Sequence, residues 1–331
     1  MNPTSLILPK ISKLKENILS FLSLNSNPFF SLSILVLLFF VSYKIVKIKK
    51  TEVPAINRTE VFRKLLPTPA PYPVSTNTAN FPEVTANSIK IIDFNSFVTL
   101  YERNSHQRVP PASTTKIMTA LVALEQYQLD NILTAGDIKV EGNTLKISPG
   151  EKLTVENLLY GLLVGSGNDA ALVLAENFPG KTEGFVWAMN QKAKELKMND
   201  TNFVNPIGLD QDDHYSSAAD MASLTMIALR NPIFAKIVST PEFTITDSSG
   251  TINHFFKNTN ELVGKIQEVK GVKTGKTDNA GECLITLVDK EGKKVVIAML
   301  GSKDRFNETQ KLIDWVYLNF DWQVTLLPNY R

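Results

Sequence analysis

At 331 residues the chain has room for one large domain or two ordinary ones with extensions, and 43% hydrophobic against 21% charged residues is enough to build a core. A net charge of +2, with the basic residues gathered beside an apolar segment, leaves no nucleic-acid footprint. The single cysteine, Cys283, excludes an intrachain disulfide and leaves the redox compartment open, and His106, His214 and His254 have no metal-ligand spacing.

Residues 1–28 form a polar, mildly basic tail. From Phe29 to Tyr43 no charge occurs, and the stretch 29–46 would make roughly 27 Å of helix, close to the thickness of a bilayer core. No small-x-small cleavage site precedes the lysines at 44–50, so residues 29–47 read as an uncleaved transmembrane anchor. Lys44, Lys47, Lys49 and Lys50 outweigh Lys10, Lys13 and Lys15, which by the positive-inside rule would leave the rest of the chain in the cytoplasm. Long domains translocate regardless of such charges, and the function inferred below requires the outer side. Residues 48–85 read as a linker, in which Pro67, Pro69, Pro71, Pro73 and Pro82 alternate with small polar residues in a semi-rigid spacer.

A folded domain is expected over 86–331. Ile89–Phe94 and Phe97–Tyr101, separated by Asn95-Ser96, read as a hairpin. After Pro110-Pro111 a helix is predicted from Ser113 to about Glu125, with Ile117, Ala120, Leu121 and Leu124 on one apolar face. Short extended pieces over Asp137–Leu153 precede four helices: one capped by Thr154 and ending near Leu163, one over Asn168–Asn177, one over Glu183–Leu196 and one over Ala218–Leu229. Val269–Thr274, Cys283–Val288 and Lys294–Leu300 read as strands, and Glu308–Phe320 as a closing helix. Strands at both ends with helices between them predict an α+β domain whose antiparallel sheet is built from the two ends and covered by helices.

Three short patterns carry the chemistry. Ser113-x-x-Lys116 puts a lysine on the serine's own helix face, where a buried ammonium is costly unless paired or neutralised. By itself the pattern fits a capping serine beside a solvated lysine, and Ser12 to Lys15 matches it too. Ser166-Gly167-Asn168 falls between two helices, and Ser23-Leu24-Asn25 and Ser75-Thr76-Asn77 repeat the spacing outside the domain. Lys273-Thr274-Gly275 occurs once, at a strand end. Together, in this order in one domain, they are the elements of serine acyl-transfer enzymes acting on penicillin-like and D-alanyl substrates.

With these residues in place the chain resembles the D-alanyl-D-alanine carboxypeptidases among the low-molecular-mass penicillin-binding proteins, peptidase family S11. The likeness runs from about Ser88 to Tyr317 and includes Pro110 to Leu121, Leu158 to Leu163 with Ser166 to Ala171, Asn258-Thr259-Asn260 and Gly271 to Leu284. It implies a serine β-lactamase/D,D-peptidase-like fold and removal of the terminal D-alanine of peptidoglycan stem peptides. Ser113 would be the nucleophile and Lys116 its base, with a pKa lowered by burial and by the second cation Lys273. Ser166 would relay a proton and Asn168 would orient Lys116 and the substrate amide. Lys273 and Thr274 would bind the terminal carboxylate, and Gly275 would leave room for substrate along the strand edge. The backbone N–H groups of Ser113 and Lys276 would form the oxyanion hole. Arg305 resembles a family arginine near the carboxylate pocket, and a surface pair with Asp304 is equally compatible.

The resemblance implies no cofactor and no metal, β-lactams as inhibitors, and a single-pass protein of a bacterial cell membrane with its catalytic domain outside. Asn205-Pro206-Ile207-Gly208-Leu209 departs from the family's Asn-Pro-His-Gly-Leu. Cys283 reads as a small buried hydrophobe and His214 as structural. A class A β-lactamase would add Glu-x-x-Leu-Asn between Asn168 and Lys273, and that motif is missing. A D,D-endopeptidase would use the same site, and a catalytically silent wall-binding protein would have little reason to keep every reactive side chain.

Overall fold

The computed structural model describes residues 71–324 and Val36. The tail, the predicted anchor apart from Val36, and most of the linker lie outside the described residues. Residues 71–324 lie within a single compact unit. Among the described residues no single helix is long and apolar enough to cross a membrane.

The elements follow in the order β1 Tyr72–Ser75, β2 Ser88–Asp93, β3 Thr99–Arg103, a 3-10 turn over Ala112–Thr115, α1 Lys116–Gln126, β4 Ile132–Thr134 and β5 Lys152–Thr154. Four helices come next: α2 Val155–Leu163, α3 Asn168–Glu176, α4 Lys181–Glu195 and α5 Ala218–Ala228. Then come α6 Pro232–Val238, β6 Glu242–Thr246, β7 Asn253–Lys257, β8 Val269–Thr277, β9 Gly281–Lys290, β10 Lys293–Ser302, α7 Arg305–Asn319 and β11 Phe320–Gln323.

The main sheet has the order β3-β2-β10-β9-β8, antiparallel throughout, so it is built from both ends of the domain as the strand pattern predicts. Strand alternation divides the core in two. Ile89, Ile91, Leu284, Val295, Ile297 and Met299 pack with Leu312, Ile313 and Val316 of α7. Ile285, Leu287, Val296, Ala298 and Leu300 face the other way, into the cluster that holds α1 to α6. β10 is therefore buried on both faces, which explains its unbroken apolar run Val295 to Leu300. β8 is an edge strand, and its outer side meets the 3-10 turn and the helical layer.

Two expectations are corrected, and one stretch left unassigned is filled in. The domain does not begin at residue 86: β1 pairs with β11, Tyr72 opposite Gln323 and Ser75 opposite Phe320. Phe81 stacks on Tyr101 with ring centroids 3.6 Å apart and meets Trp315 edge-on. The prolines of this stretch suggest a spacer, but Pro73 sits in a two-stranded pair where a missing donor is tolerated, and the aromatic residue between the prolines packs. The helix predicted from Ser113 opens as a 3-10 turn, and its α-helical part starts at Lys116. The segment between Leu229 and Val269 is also structured: Asn231 caps α6 with Pro232 at its first turn, and β6 and β7 form a hairpin.

Candidate active site

The site lies where the 3-10 turn, the loop before α3 and the edge strand β8 converge. Pro111 already has helical backbone angles, φ −83 and ψ −8, and Ala112 takes φ +49. Thr114 then closes the turn on Pro111, both its N–H and its Oγ1 donating to the Pro111 carbonyl at 3.2 and 2.6 Å. This places Ser113 on a tight turn and Lys116 at the first α-helical position, one turn on and facing it.

Lys116 is fully buried, with Nζ 2.8 Å from Ser113 Oγ, 2.7 Å from Asn168 Oδ1 and 2.6 Å from the Ile207 carbonyl. The Asn168 amide is fixed by its Nδ2, which donates to the Glu141 carbonyl at 2.7 Å. Two of the three partners of Lys116 are therefore pure acceptors. A neutral amine has two N–H bonds and one lone pair; with both N–H bonds on Asn168 and Ile207, the lone pair points at the Ser113 hydroxyl. Burial lowers the Lys116 pKa to about 7, against the opposing pull of Asp169, so the neutral form is accessible near neutrality.

Across the site Lys273 is also buried and donates to Ser166 Oγ at 2.9 Å and to the Thr274 carbonyl at 3.0 Å. Its pKa lies well below the usual lysine range, first through burial and then through repulsion by Lys116 and Arg305. Burial is the leading cause at both lysines, and the repulsion between them is mutual, so each disfavours a charge on the other, as expected of Lys273 toward Lys116. Ser166 takes φ +57, and the N-cap of α3 is Gly167, so the Ser166 hydroxyl is turned to Lys273 instead of capping the helix. Asp169 anchors the loop before it, accepting from the N–H groups of Leu145 and Ile147 at 2.9 and 3.1 Å.

Thr274 Oγ1 bonds Thr259 Oγ1 at 2.7 Å, and Asn260 Nδ2 bonds the Gly271 carbonyl at 3.1 Å, so the Asn258-Thr259-Asn260 stretch braces β8. Gly275 has a tighter role than leaving room for substrate. A Cβ there would stand 2.8 Å from Ala112 Cβ and 2.9 Å from Ser113 N, so the glycine lets β8 close against the nucleophile turn. Lys276 extends outward to Glu282 at 3.1 Å, with 66% of its side chain exposed, so only its backbone is available to the site. Arg305 does not pair with Asp304, which caps α7; its Nη1 donates to the Gly275 carbonyl at 2.9 Å.

Sequence reading noted Asn205–Leu209 only as a departure from the family's pattern and missed that segment 202–211 clasps the helix carrying Lys116. Besides the Ile207 carbonyl on Lys116, the Pro206 carbonyl accepts from Thr119 Oγ1 at 2.6 Å. Asn205 Oδ1 accepts from Gly208 N at 2.7 Å, and Gly208 at φ +87 lies flat against the Ala112 carbonyl. His214 ties the clasp down. Its Nδ1 accepts from Val204 N at 3.1 Å, which leaves Nε2–H to donate to Thr115 Oγ1 at 3.0 Å. Both bonds need a neutral ring, and burial keeps it neutral by lowering its pKa to about 4. The departure at Ile207 leaves the clasp's bond to Lys116 intact because only the backbone makes it. Cys283 is buried on β9, its thiol pushed up to about 11 by burial, as befits a packing residue.

A serine facing a buried lysine whose neutral form is accessible near neutrality, with a second serine–lysine pair opposite, defines the class: a serine acyl-transfer site. The comparisons with known proteins agree. The chain belongs to the peptidase S11, D-alanyl-D-alanine carboxypeptidase, family, whose model matches residues 75–304. It is 34% identical over 246 residues to D-alanyl-D-alanine carboxypeptidase DacF of Bacillus subtilis, a match covering 71% of this chain and 63% of that one. It is 33% identical to a D-alanyl-D-alanine endopeptidase of Pseudomonas aeruginosa, covering 74% and 81%. Among solved structures, the Streptomyces K15 DD-transpeptidase matches with TM-score 0.69 at 29% identity, over 72% of this chain and 99% of that one. The D-alanyl-D-alanine carboxypeptidase of Mycobacterium tuberculosis H37Rv matches with TM-score 0.69 at 30% identity, over 77% and 97%.

Proposed function

We propose that the protein is a serine-type D-Ala-D-Ala carboxypeptidase that trims peptidoglycan stem peptides through an acyl-enzyme on Ser113. The observation that carries this is Lys116 Nζ, buried and 2.8 Å from Ser113 Oγ, with its other two partners acceptors only.

Lys116 takes the hydroxyl proton as Ser113 Oγ bonds to the carbonyl carbon of the penultimate D-alanine. The resulting oxyanion is stabilised by the N–H groups of Ser113 and Lys276. The C–N bond then breaks, and the proton held by Lys116 passes through Ser166 to the departing D-alanine amine. Water attacks the ester and frees Ser113. Lys273 and Thr274 receive the substrate's terminal carboxylate, Arg305 holds β8 in place through the Gly275 carbonyl, and Asn168 orients Lys116 and the substrate amide. Penicillins would acylate Ser113 in the same way and inhibit. A second reading, D,D-endopeptidase action on cross-links, is favoured by the Pseudomonas relative's name and uses the same residues.

The substrate lies outside the cytoplasm, so the reading includes a single-pass anchor over 29–47 in a bacterial cell membrane, with residues 71–324 on the outer side. A reporter fused after Arg331 tests this, and a cytoplasmic signal contradicts it. For the chemistry, labelled penicillin is expected on Ser113 alone, and D-alanine is expected to be released from a stem pentapeptide. Label elsewhere, or equal labelling of Ser113→Ala, would overturn the assignment. Faster cleavage of cross-linked dimers than of pentapeptide would favour the endopeptidase.

A further inference from the structure

The main sheet has two ends, and its register says what stands at each. At one end Val269, Val288, Val295 and Asp93 follow one another across β8, β9, β10 and β2. At the other are Thr277 opposite Gly281, Glu282 opposite Ser302 and Leu300 opposite Ser88. Gly275, Lys276 and Thr277 run toward this second end, so the catalytic edge points away from the first.

The first end carries features that the chemistry does not use. The β2–β3 turn holds Phe97, 51% exposed, and Val98, 38% exposed. Phe97 has φ +63, a conformation that glycine or asparagine adopts easily and a bulky aromatic residue seldom does. A strained backbone at an exposed aromatic side chain is an outlier that motivates a functional reading of that side chain. The Arg230 guanidinium lies 5.4 Å from the Phe97 ring centroid. Asn95 Nδ2 donates to the Gly292 carbonyl, joining this turn to the β9–β10 turn, where Lys290 and Lys293 lie over the rings of Tyr317 and Trp322. Asp289 and Glu291 are the carboxylates of that turn, and Lys294 stands 3.6 Å from Asp289. Trp322 Nε1 donates to Asp93 Oδ1 at 2.7 Å and pairs in register with Pro73, so β1 is drawn to the same end. β1 is the first strand of the chain, so the described part of the domain begins at this end of the sheet.

We propose that this end of the sheet is a membrane-docking face. Phe97 and Val98 would seat in the headgroup layer of a phospholipid bilayer, with Arg230, Lys290 and Lys293 at the level of the phosphates. The domain then stands on the membrane with its catalytic edge turned away from it. The inference rests on the reading of 29–47 as an anchor, and it adds a second, interfacial contact that an anchor alone does not require.

The test uses the full chain in vesicles of phosphatidylcholine and phosphatidylglycerol, with plain or brominated acyl chains, and compares Phe97→Trp with the wild type. The emission added at position 97 is expected to fall at least about two-fold in the brominated vesicles, because a side chain roughly 5–10 Å into the interface contacts the bromines. Phe255→Trp, on β7 at a residue 61% exposed, is the control and is expected to be unaffected. Penicillin acylation of Ser113 checks the fold of each variant, and Val98→Trp replaces Phe97→Trp if the latter fails that check. Equal emission in both vesicle types, or equal quenching of the control, would overturn the docking face while leaving the anchor standing. A chain that does not float with vesicles after alkaline carbonate washing would overturn the anchor and the docking face together.

Discussion

Lys116 holds a proton acceptor ready in a place where water would ordinarily decide its charge. The proposed mechanism uses its neutral form as the base, and with a pKa of about 7 acylation by penicillin should decline as the pH falls through 7 and level off above it. Measuring the acylation rate against pH checks this; an acid limb well below pH 6 would show that another group is the base. Replacing Lys116 by Ala should abolish acylation with the fold retained. His214 gives a separate acid signature. Its folded pKa of about 4 lies below its ordinary value of 6.5, so the unfolded chain binds the extra proton first and stability is lost as the pH falls from 6.5 toward 4. At about 1.4 kcal/mol per pKa unit the loss is at most about 3 kcal/mol. His214→Gln, which can still accept from Val204 N and donate to Thr115, should show a flatter melting temperature between pH 7 and pH 5.

The side chains that meet in the site were legible in the sequence because they stand at short spacings: Ser113 with Lys116, Ser166 with Asn168, Lys273 with Thr274. What could not be read was the work done by backbone atoms. The Ile207 carbonyl that completes the Lys116 shell, and the closeness of Gly275 to Ser113 N, depend on which loops meet, and no residue type announces either.

Among the elements, the edge of β8 and the 3-10 turn behave as one part. Gly275→Ala would drive a Cβ into Ala112 and Ser113 N, pushing the strand from the nucleophile. Since small misplacements in an active site cost on the order of 100-fold, acylation should fall by about that factor with the melting temperature little changed. Unchanged kinetics would mean that the turn can yield. The β1–β11 pair was invisible to sequence reading for a different reason: proline-rich composition resembles a spacer until its few apolar residues find partners. Phe81→Ala should cost about 2 kcal/mol, below the range for a fully buried aromatic, measured by chemical denaturation. If residues 71–85 were only a spacer the cost would be close to zero.

At the scale of the whole domain, the antiparallel sheet and its helical cover were readable because hydrophobic period and turn chemistry agreed along the chain. The contacts that join the sheet to the helices around the site were not, since each unites segments far apart in sequence. Lys116 reaches Asn168 and Ile207, and Lys273 reaches Ser166. The two lysines therefore start from opposite sides of the seam, one on the first helix and one on the edge strand, and any opening of that seam would separate the Ser113–Lys116 pair from the Ser166–Lys273 pair.

The bond from Asn168 Nδ2 to the Glu141 carbonyl has a consequence of its own. An amide is two-faced, and a half-turn would present Nδ2 instead of Oδ1 to Lys116. The lysine would then lose one acceptor and turn its lone pair toward that N–H, away from Ser113. Residue 141 thus works as a polarity key: while its carbonyl stays in place the nucleophile is armed, and displacing that one stretch of loop would disarm it with every reactive side chain still present.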